Sequence, residues 1–262
     1  MSSVLVPIVS GWALGYGVNY LADALPASRR LTWPACSRCG TRFPLPSYLV
    51  GGKCATCGKS RAARMWLVIL SMTAFAAYIW SRPLPKLGFA LSAALAAYFA
   101  VVLVIDLEHR LIMHTVSAVG AALGLTAGWI LHGPILTLTG GLLGFLIMLA
   151  LYGLGVLFSR YRARRLVQAG IPPDNEEALG AGDVILAGVL GLILGLEWIG
   201  RGLLLGILLG GLTGAILVLI MVISRRYGKQ ALMLFMPYGP FFVLSAFYLT
   251  FFPNWIVAAT PR

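Results

Sequence analysis

The stretch FALSAALAAYFAVVLVI, from Phe89 to Ile105, contains seventeen consecutive uncharged residues and ends directly before Asp106. A helix of this length would measure about 26 Å at 1.5 Å per residue, which approaches the hydrocarbon thickness of a membrane. Similar apolar runs recur along the chain. Of its 262 residues 60% are hydrophobic and 11% are charged, whereas a soluble domain carries about 25% charged residues. Lipid is therefore the expected solvent for most of the chain.

The apolar runs predict helices, because backbone groups in lipid must be satisfied internally and barrel strands alternate in polarity and are only about ten residues long. The fold class predicted is all-α, a polytopic membrane protein with about eight transmembrane helices. The first run has no basic segment before it and continues too far for a cleavable signal, so it is expected to remain as a membrane helix. The predicted spans are 4–24, 65–80, 89–106, 111–131, 136–158, 180–199, 202–223 and 231–252.

The net charge of +12 indicates contact with anionic lipid rather than with nucleic acid, because basic residues hold cytoplasmic loops at the membrane surface. With the N-terminus outside, all but four of the 20 Lys and Arg residues fall in cytoplasmic loops. This distribution predicts that both termini lie outside. The four exceptions are Arg82, Lys86, Arg201 and Arg262.

All four cysteines lie in one polar insert, residues 26–64, as two CxxC pairs that are each followed by glycine. Two such turns can direct four thiolates at one ion, and glycine permits the positive φ that the turn often needs. Disulfides are the alternative, but they conflict with the reducing cytoplasmic side. The pattern predicts a structural Cys₄ zinc site with no open position for chemistry. Its predicted ligands are Cys36, Cys39, Cys54 and Cys57.

Two carboxylates are expected at the cytoplasmic ends of separate membrane helices. Asp106 ends the third span, and Asp183 begins the sixth within Gly180-Ala-Gly182-Asp183. An intramembrane carboxylate costs at least a few kcal/mol and is a functional candidate. Two carboxylates close together can share one proton, because like-charge repulsion raises one pKa. This is the state that an aspartic protease uses. Gly180 and Gly182 would let a helix or an extended substrate approach the backbone.

Other interpretations of the two aspartates remain open at this point. Either residue could be a solvated helix end, and Asp183 could cap a helix N-terminus. A transporter or proton channel could use the two acids as a relay, although such sites usually lie near the bilayer midplane between repeats. A non-catalytic scaffold could instead use the zinc insert to bind a cytoplasmic partner.

Five features in order resemble the prepilin (type IV leader) peptidases, a family of GxGD-type membrane aspartic peptidases. They cover most of the chain. They are Gly15, Asn19 and Leu25-Pro26; the cysteine insert with Pro46-Ser47-Tyr48-Leu49 and Gly52; Ile105-Asp106 with Leu111-Ile112; Gly180-Ala181-Gly182-Asp183-Val184; and Pro237-Tyr238-Gly239-Pro240-Phe241.

The resemblance implies an endopeptidase of the bacterial cytoplasmic (inner) membrane, with Asp106 and Asp183 as the catalytic pair. Its substrates would be prepilins or pseudopilins of type IV pili or type II secretion, cut after a glycine that ends a basic leader. The acids expected to attract that leader are Glu108, Asp174, Glu176 and Glu177. The implied organisation is a first transmembrane helix (1–25), the zinc insert (26–64) and a peptidase core (65–262). The oligomeric state is not predicted.

Many family members also N-methylate the new terminus with S-adenosylmethionine. The family's Arg-Tyr-Pro segment and nearby Glu, which are associated with methylation, are replaced here by Arg61-Ala-Ala-Arg64-Met-Trp. Lys after the GxGD-Val motif is replaced by Ile185, and Pro-Asp after the first aspartate by Met113-His114. The sequence therefore predicts cleavage, and methylation that is weak or absent.

Overall fold

The structure is a computed structural model that describes residues 2–36, 38–60, 62–168, 180–224 and 238–252. Within these ranges the regular structure is helical, apart from one isolated bridge between Ala35 and Arg42. The predicted all-α fold class is confirmed. The helices are α1 (Ser2–Ser28), α2 (Leu45–Val50), α3 (Ala62–Ser81), α4 (Gly88–His109), α5 (His114–His132), α6 (Pro134–Gln168), α7 (Ala181–Ile223) and α8 (Gly239–Phe251).

In the described part of the chain, six helices are long and apolar enough to cross a membrane: α1, α3, α4, α5, α6 and α7. Helix α8 is apolar but shorter, with 13 residues. The predicted span 231–252 is described only from residue 238 onward, since residues 231–237 lie outside the described ranges. Helix α6 continues past the predicted end at 158 to Gln168.

Helix α7 consists of two segments, because Gly195 has non-helical angles of φ 72° and ψ 174°. Its 43 residues would otherwise extend about 65 Å, more than twice the hydrocarbon thickness. A Cβ at Gly144 would lie 2.5 Å from the Ala187 carbonyl oxygen and 3.0 Å from Ile199 Cγ1. A straight helix would separate those two residues by about 18 Å. The segments therefore fold back on each other, and the predicted break between 199 and 202 lies too late.

The chain forms two compact units, Met1–Met113 and His114–Arg262. In the first unit, α1 packs closely against α3: a Cβ at Gly15 would lie 2.7 Å from Ile69 Cα. In the second unit, α6 packs closely against α7, where a Cβ at Gly191 would overlap the Gly140 carbonyl oxygen. Glycines permit this close packing of helices in lipid. The division into a first helix, an insert and a peptidase core remains a prediction.

Candidate active site and cysteine centre

The two CxxC segments of the insert adopt the same backbone geometry. In each, the N–H of the first cysteine donates to the carbonyl oxygen five residues later, at 2.9 Å for Cys36 and 3.0 Å for Cys54. Gly40 and Gly58 donate back to those cysteines at 2.8 and 2.9 Å. Both glycines have positive φ, 73° and 70°, as the sequence predicts. The two CxxC turns therefore hold their cysteines with the same backbone geometry.

The four thiols form one cluster in which all sulfur atoms lie within 4.8 Å of one another. Cys36 Sγ lies 3.4 Å from Cys57 Sγ, and Cys39 Sγ lies 3.5 Å from Cys54 Sγ. Four sulfurs at about 2.3 Å from a central zinc would be about 3.8 Å apart. All four cysteines are free thiols. The cluster therefore fits a tetrahedral metal ion, and zinc is the proposed occupant.

The thiols influence one another's ionisation. Hydrogen bonds with the Thr41 side chain and backbone lower the pKa of Cys39 to about 6. A backbone hydrogen bond at Lys59 lowers the pKa of Cys57, but burial and the neighbouring sulfurs outweigh it and raise that pKa to about 11. One thiol thus ionises readily and another resists, as expected where like charges crowd one site. A dication at the centre would relieve that repulsion.

The insert has a small apolar core that contains two of the cysteines. Cys36, Cys54, Phe43 and Tyr48 are buried together, and the Phe43 and Tyr48 ring centroids lie 6.1 Å apart. A core of this size stabilises little chain on its own. A bound ion would therefore supply a large part of the folding free energy of the insert.

A charged cluster in the first unit joins the insert to α4, and we refer to Tyr48, Asp23, Arg64 and Glu108 as the Arg64 hub. Arg64 Nη2 donates to Asp23 Oδ1 at 2.5 Å, and its Nη1 donates to Glu108 Oε2 at 2.8 Å. The Tyr48 hydroxyl donates to Asp23 Oδ2 at 2.8 Å. No sequence motif predicts this hub. One sequence feature could have indicated it. Residues of opposite charge lie at those ends of the apolar helices that are expected on the same side of the membrane.

Asp106 lies in the last turn of α4 and is only 4% exposed. The helix ends at His109, and the next residue, Arg110, has a left-handed φ of 52° and donates its N–H to the Asp106 carbonyl oxygen at 2.9 Å. Ile105 and Val102 beside it are also buried. The predicted position at the end of the third span is confirmed. A carboxyl group is thus held among apolar side chains at the end of a membrane helix.

Asp183 lies in the first turn of α7, and Gly180 is its N-cap residue. The Gly180 N–H donates to Asp183 Oδ2 at 3.2 Å, and the Asp183 N–H donates to the Gly180 carbonyl oxygen at 3.0 Å. The capping role considered from the sequence is therefore present. It engages the Oδ2 atom of the carboxylate. Gly180 has φ −82° and its Cβ would make only ordinary contacts, so its own helix does not require glycine there.

Asp106 belongs to the first unit and Asp183 to the second. The pairing of the two carboxylates therefore remains a prediction. Three acidic residues considered as contacts for a basic leader, Asp174, Glu176 and Glu177, lie outside the described residues, as does Pro237.

Residues 93–219 match the model of the type IV leader peptidase family, and this segment includes both Asp106 and Asp183. A 182-residue segment is 30% identical to the type 4 prepilin-like proteins leader peptide-processing enzyme of Escherichia coli O78:H11 (strain H10407 / ETEC), and it covers 68% of this chain. The chain spans 60% of the length of that relative. No solved structure matches the chain. The resemblance stated from the sequence motifs is confirmed.

Proposed function

We propose that the chain is a membrane aspartic endopeptidase, because residues 93–219 match the model of the type IV leader peptidase family. Its substrates would be prepilin-like proteins with a basic leader, cut after a glycine. The observation that carries the proposal is the burial of Asp106, 4% exposed, in the last turn of the apolar helix α4. A buried carboxylate in a membrane helix is retained for function more often than for stability.

The proposed chemistry uses Asp106 and Asp183 as a pair that shares one proton. Repulsion between two nearby carboxylates keeps one protonated and the other ionised. The ionised member takes a proton from a water molecule, which attacks the scissile carbonyl carbon. The protonated member donates a hydrogen bond to the carbonyl oxygen and stabilises the developing negative charge. Proton transfer to the departing amine completes the cleavage.

Membrane topology supports this pairing. After α4, successive crossings by α5 and α6 would return the chain to the side of the membrane where α4 ends. The start of α7, which carries Asp183, would then lie on the same side as Asp106. The predicted excess of Lys and Arg in loops on that side supports a cytoplasmic face. The family resemblance supports the bacterial inner membrane as the location.

The proposed cleavage site lies where a cytoplasmic leader meets a transmembrane helix. A helix hides its carbonyl oxygens in i→i−4 hydrogen bonds, so the site must unwind before attack. Glycine before the cut makes unwinding less costly, because glycine is a poor helix former. Gly180 supports this proposal, because its own helix does not require glycine at that position. We propose that Gly180 and Gly182 instead leave space for the backbone of the substrate.

The zinc site has a structural role in this proposal. Four thiolates would complete a tetrahedral site and leave no open position for water or substrate. The ion would therefore fix the fold of the insert. Methylation of the new terminus with S-adenosylmethionine is proposed to be weak or absent, because Arg61-Ala-Ala-Arg64-Met-Trp replaces the family's Arg-Tyr-Pro segment.

The proposal is tested by cleavage of a prepilin-like protein from the same genome, followed by N-terminal sequencing of the product. Asp106→Asn and Asp183→Asn should each abolish cleavage while the protein still inserts into the membrane. In Asp183→Asn the new amide oxygen can still accept the Gly180 N–H, so the start of α7 is preserved and only the ionisable group is lost. Glu197→Gln, which changes an exposed acid of α7, is the matched control and should cleave normally. Substantial cleavage by either asparagine variant would remove that aspartate from the mechanism.

A further inference from the structure

The Arg64 hub connects the cysteine insert to the helix that carries Asp106. On the insert side, Tyr48 is 5% exposed and is buried with Cys36 and Cys54. Its hydroxyl donates to Asp23 Oδ2 at 2.8 Å. Asp23 uses its other oxygen, Oδ1, to accept from Arg64 at 2.5 Å. Both oxygens of this carboxylate are therefore engaged, one by the insert and one by α3.

On the α4 side, the same guanidinium binds Glu108. Arg64 Nη1 donates to Glu108 Oε2 at 2.8 Å, while Nη2 is directed at Asp23. The two carboxylates thus bind separate nitrogen atoms of one guanidinium group, which is planar and rigid. The Arg64 side chain is 18% exposed, so water screens these contacts less than at an open surface.

Glu108 and Asp106 lie two residues apart in the last turn of α4, which places their side chains about 200° apart around the helix axis. Asp106 is buried, whereas the Glu108 side chain is 41% exposed. An anchor on Glu108 therefore resists rotation of the turn and holds Asp106 on the opposite side. The Arg110 N–H, bonded to the Asp106 carbonyl oxygen at 2.9 Å, ends the helix directly after this turn.

We infer that Arg64 is a positioning residue: it couples the cysteine insert, through Tyr48 and Asp23, to the last turn of α4 and so sets the orientation of Asp106. The inference rests on the proposed function for its effect on catalysis, but the coupling itself is a property of the first unit. It assigns the insert a role beyond its own fold, since loosening Tyr48 would disturb the turn that carries the catalytic carboxyl group.

The test is a double-variant cycle with Tyr48→Phe and Glu108→Gln in the full-length protein in detergent. Each variant should lower kcat for leader cleavage about tenfold with KM unchanged, because a small misplacement of a catalytic group affects the chemical step. The double variant should also lose about tenfold rather than a hundredfold, since both changes break one network. Arg64→Lys should behave like the single variants, because an ammonium group cannot reproduce the forked contact.

A second measurement does not depend on activity. Amide hydrogen exchange in the peptide around 105–110 should be faster in Tyr48→Phe, Glu108→Gln and Arg64→Lys than in the wild type. The matched control is Tyr16→Phe, which removes another tyrosine hydroxyl that bonds the insert, to the Leu49 carbonyl oxygen at 2.9 Å, but lies outside the Arg64 hub. Its kcat and exchange rate should equal those of the wild type.

The outcomes separate this inference from the proposed function. If the wild type cleaves and Asp106→Asn does not, while the hub variants keep normal kcat and exchange, the coupling is wrong. Multiplicative losses in the double variant, or a Tyr16→Phe defect equal to that of Tyr48→Phe, would also overturn it. If the wild type cleaves no prepilin-like substrate, the proposed function fails and hydrogen exchange alone decides the coupling: faster exchange supports it, and unchanged exchange overturns it.

Discussion

Replacing Gly140 by alanine should destabilise the second unit, although alanine is the better helix former. A Cβ at Gly140 would overlap the Gly195 carbonyl carbon and would lie 2.6 Å from the Leu196 nitrogen and 2.7 Å from the Gly191 carbonyl oxygen. All three atoms belong to the backbone of α7, so no side chain can rotate away. Relief requires α6 to separate from α7 near the fold-back at Gly195.

The magnitude follows from the contact distances. Ordinary contacts of a Cβ begin near 3.4 Å, so the two backbones must move apart by about 1 Å. Overpacking of this kind typically costs about 1–3 kcal/mol. The intrinsic gain from glycine to alanine within a helix is about 1 kcal/mol at most. The clash outweighs the gain, and the expected net loss of unfolding free energy is up to about 2 kcal/mol.

The measurement is the unfolding midpoint of the purified protein in detergent, followed by the near-ultraviolet circular dichroism of its aromatic residues. Gly153→Ala is the matched control on the same helix, because a Cβ at Gly153 meets no atom of the described residues within 4 Å. That variant should be as stable as the wild type or slightly more stable. If Gly140→Ala matches or exceeds Gly153→Ala in stability, the close approach of α6 to the Gly195 bend is wrong.

Three further predictions concern the metal, methylation and substrate binding. The purified protein should hold one zinc ion, and Cys36→Ser should lose most of it while cleavage falls less than in the aspartate variants; freely reactive thiols in the zinc-loaded protein would contradict the Cys₄ site. Mass spectrometry of the mature pilin terminus should show little or no methylation, whereas a stoichiometric methyl increment that depends on this enzyme would refute that expectation. Glu176→Lys with Glu177→Lys should raise KM for a basic-leader substrate with little change in kcat, and the effect should shrink at high salt; an unchanged KM at low salt would show that these glutamates only solvate their loop.

The membrane helices and the cysteine centre could be predicted because their signals are local. An uncharged run such as 89–105 determines a membrane helix through its own length and composition. Likewise, each CxxCG segment determines its own turn, and Gly40 and Gly58 have the positive φ that the motif predicts. The structure adds the arrangement of the four thiols, within 4.8 Å of one another.

The bend in α7 was misplaced because hydropathy does not report it. Gly200 and Arg201 offer the stronger sequence signal for a loop, since glycine and a charge interrupt an apolar run. Gly195 lies between Leu194 and Leu196, so hydropathy gives no sign of a loop there. Its φ of 72° is accessible mainly to glycine. A Cβ there would also lie 3.0 Å from the His132 ring. Tertiary packing therefore selects which glycine forms the turn.

The Arg64 hub was missed because its contacts are distant in sequence. Arg64 is 41 residues from Asp23 and 44 from Glu108, so no periodic pattern relates them. From the sequence alone, Glu108 is expected to be an acid beside the first aspartate that attracts a basic leader. In the structure, Glu108 instead binds Arg64, which also binds Asp23. These contacts join three helices, so no motif within one helix indicates them.

This pairing changes how the acidic residues divide their tasks. Glu108 was predicted to attract a basic leader, together with Asp174, Glu176 and Glu177. Arg64 compensates one of the two negative charges of Asp23 and Glu108, so the hub carries a net charge of about −1 and its Glu108 carboxylate is already engaged. Attraction of the leader then rests mainly on the other three acids. The two sets should act on different steps. Asp174, Glu176 and Glu177 should affect KM, and this effect should depend strongly on salt. The Arg64 hub should affect kcat, and this effect should depend only weakly on salt. Combining Glu176→Lys and Glu177→Lys with Tyr48→Phe should therefore give losses that multiply, because the changes affect independent steps.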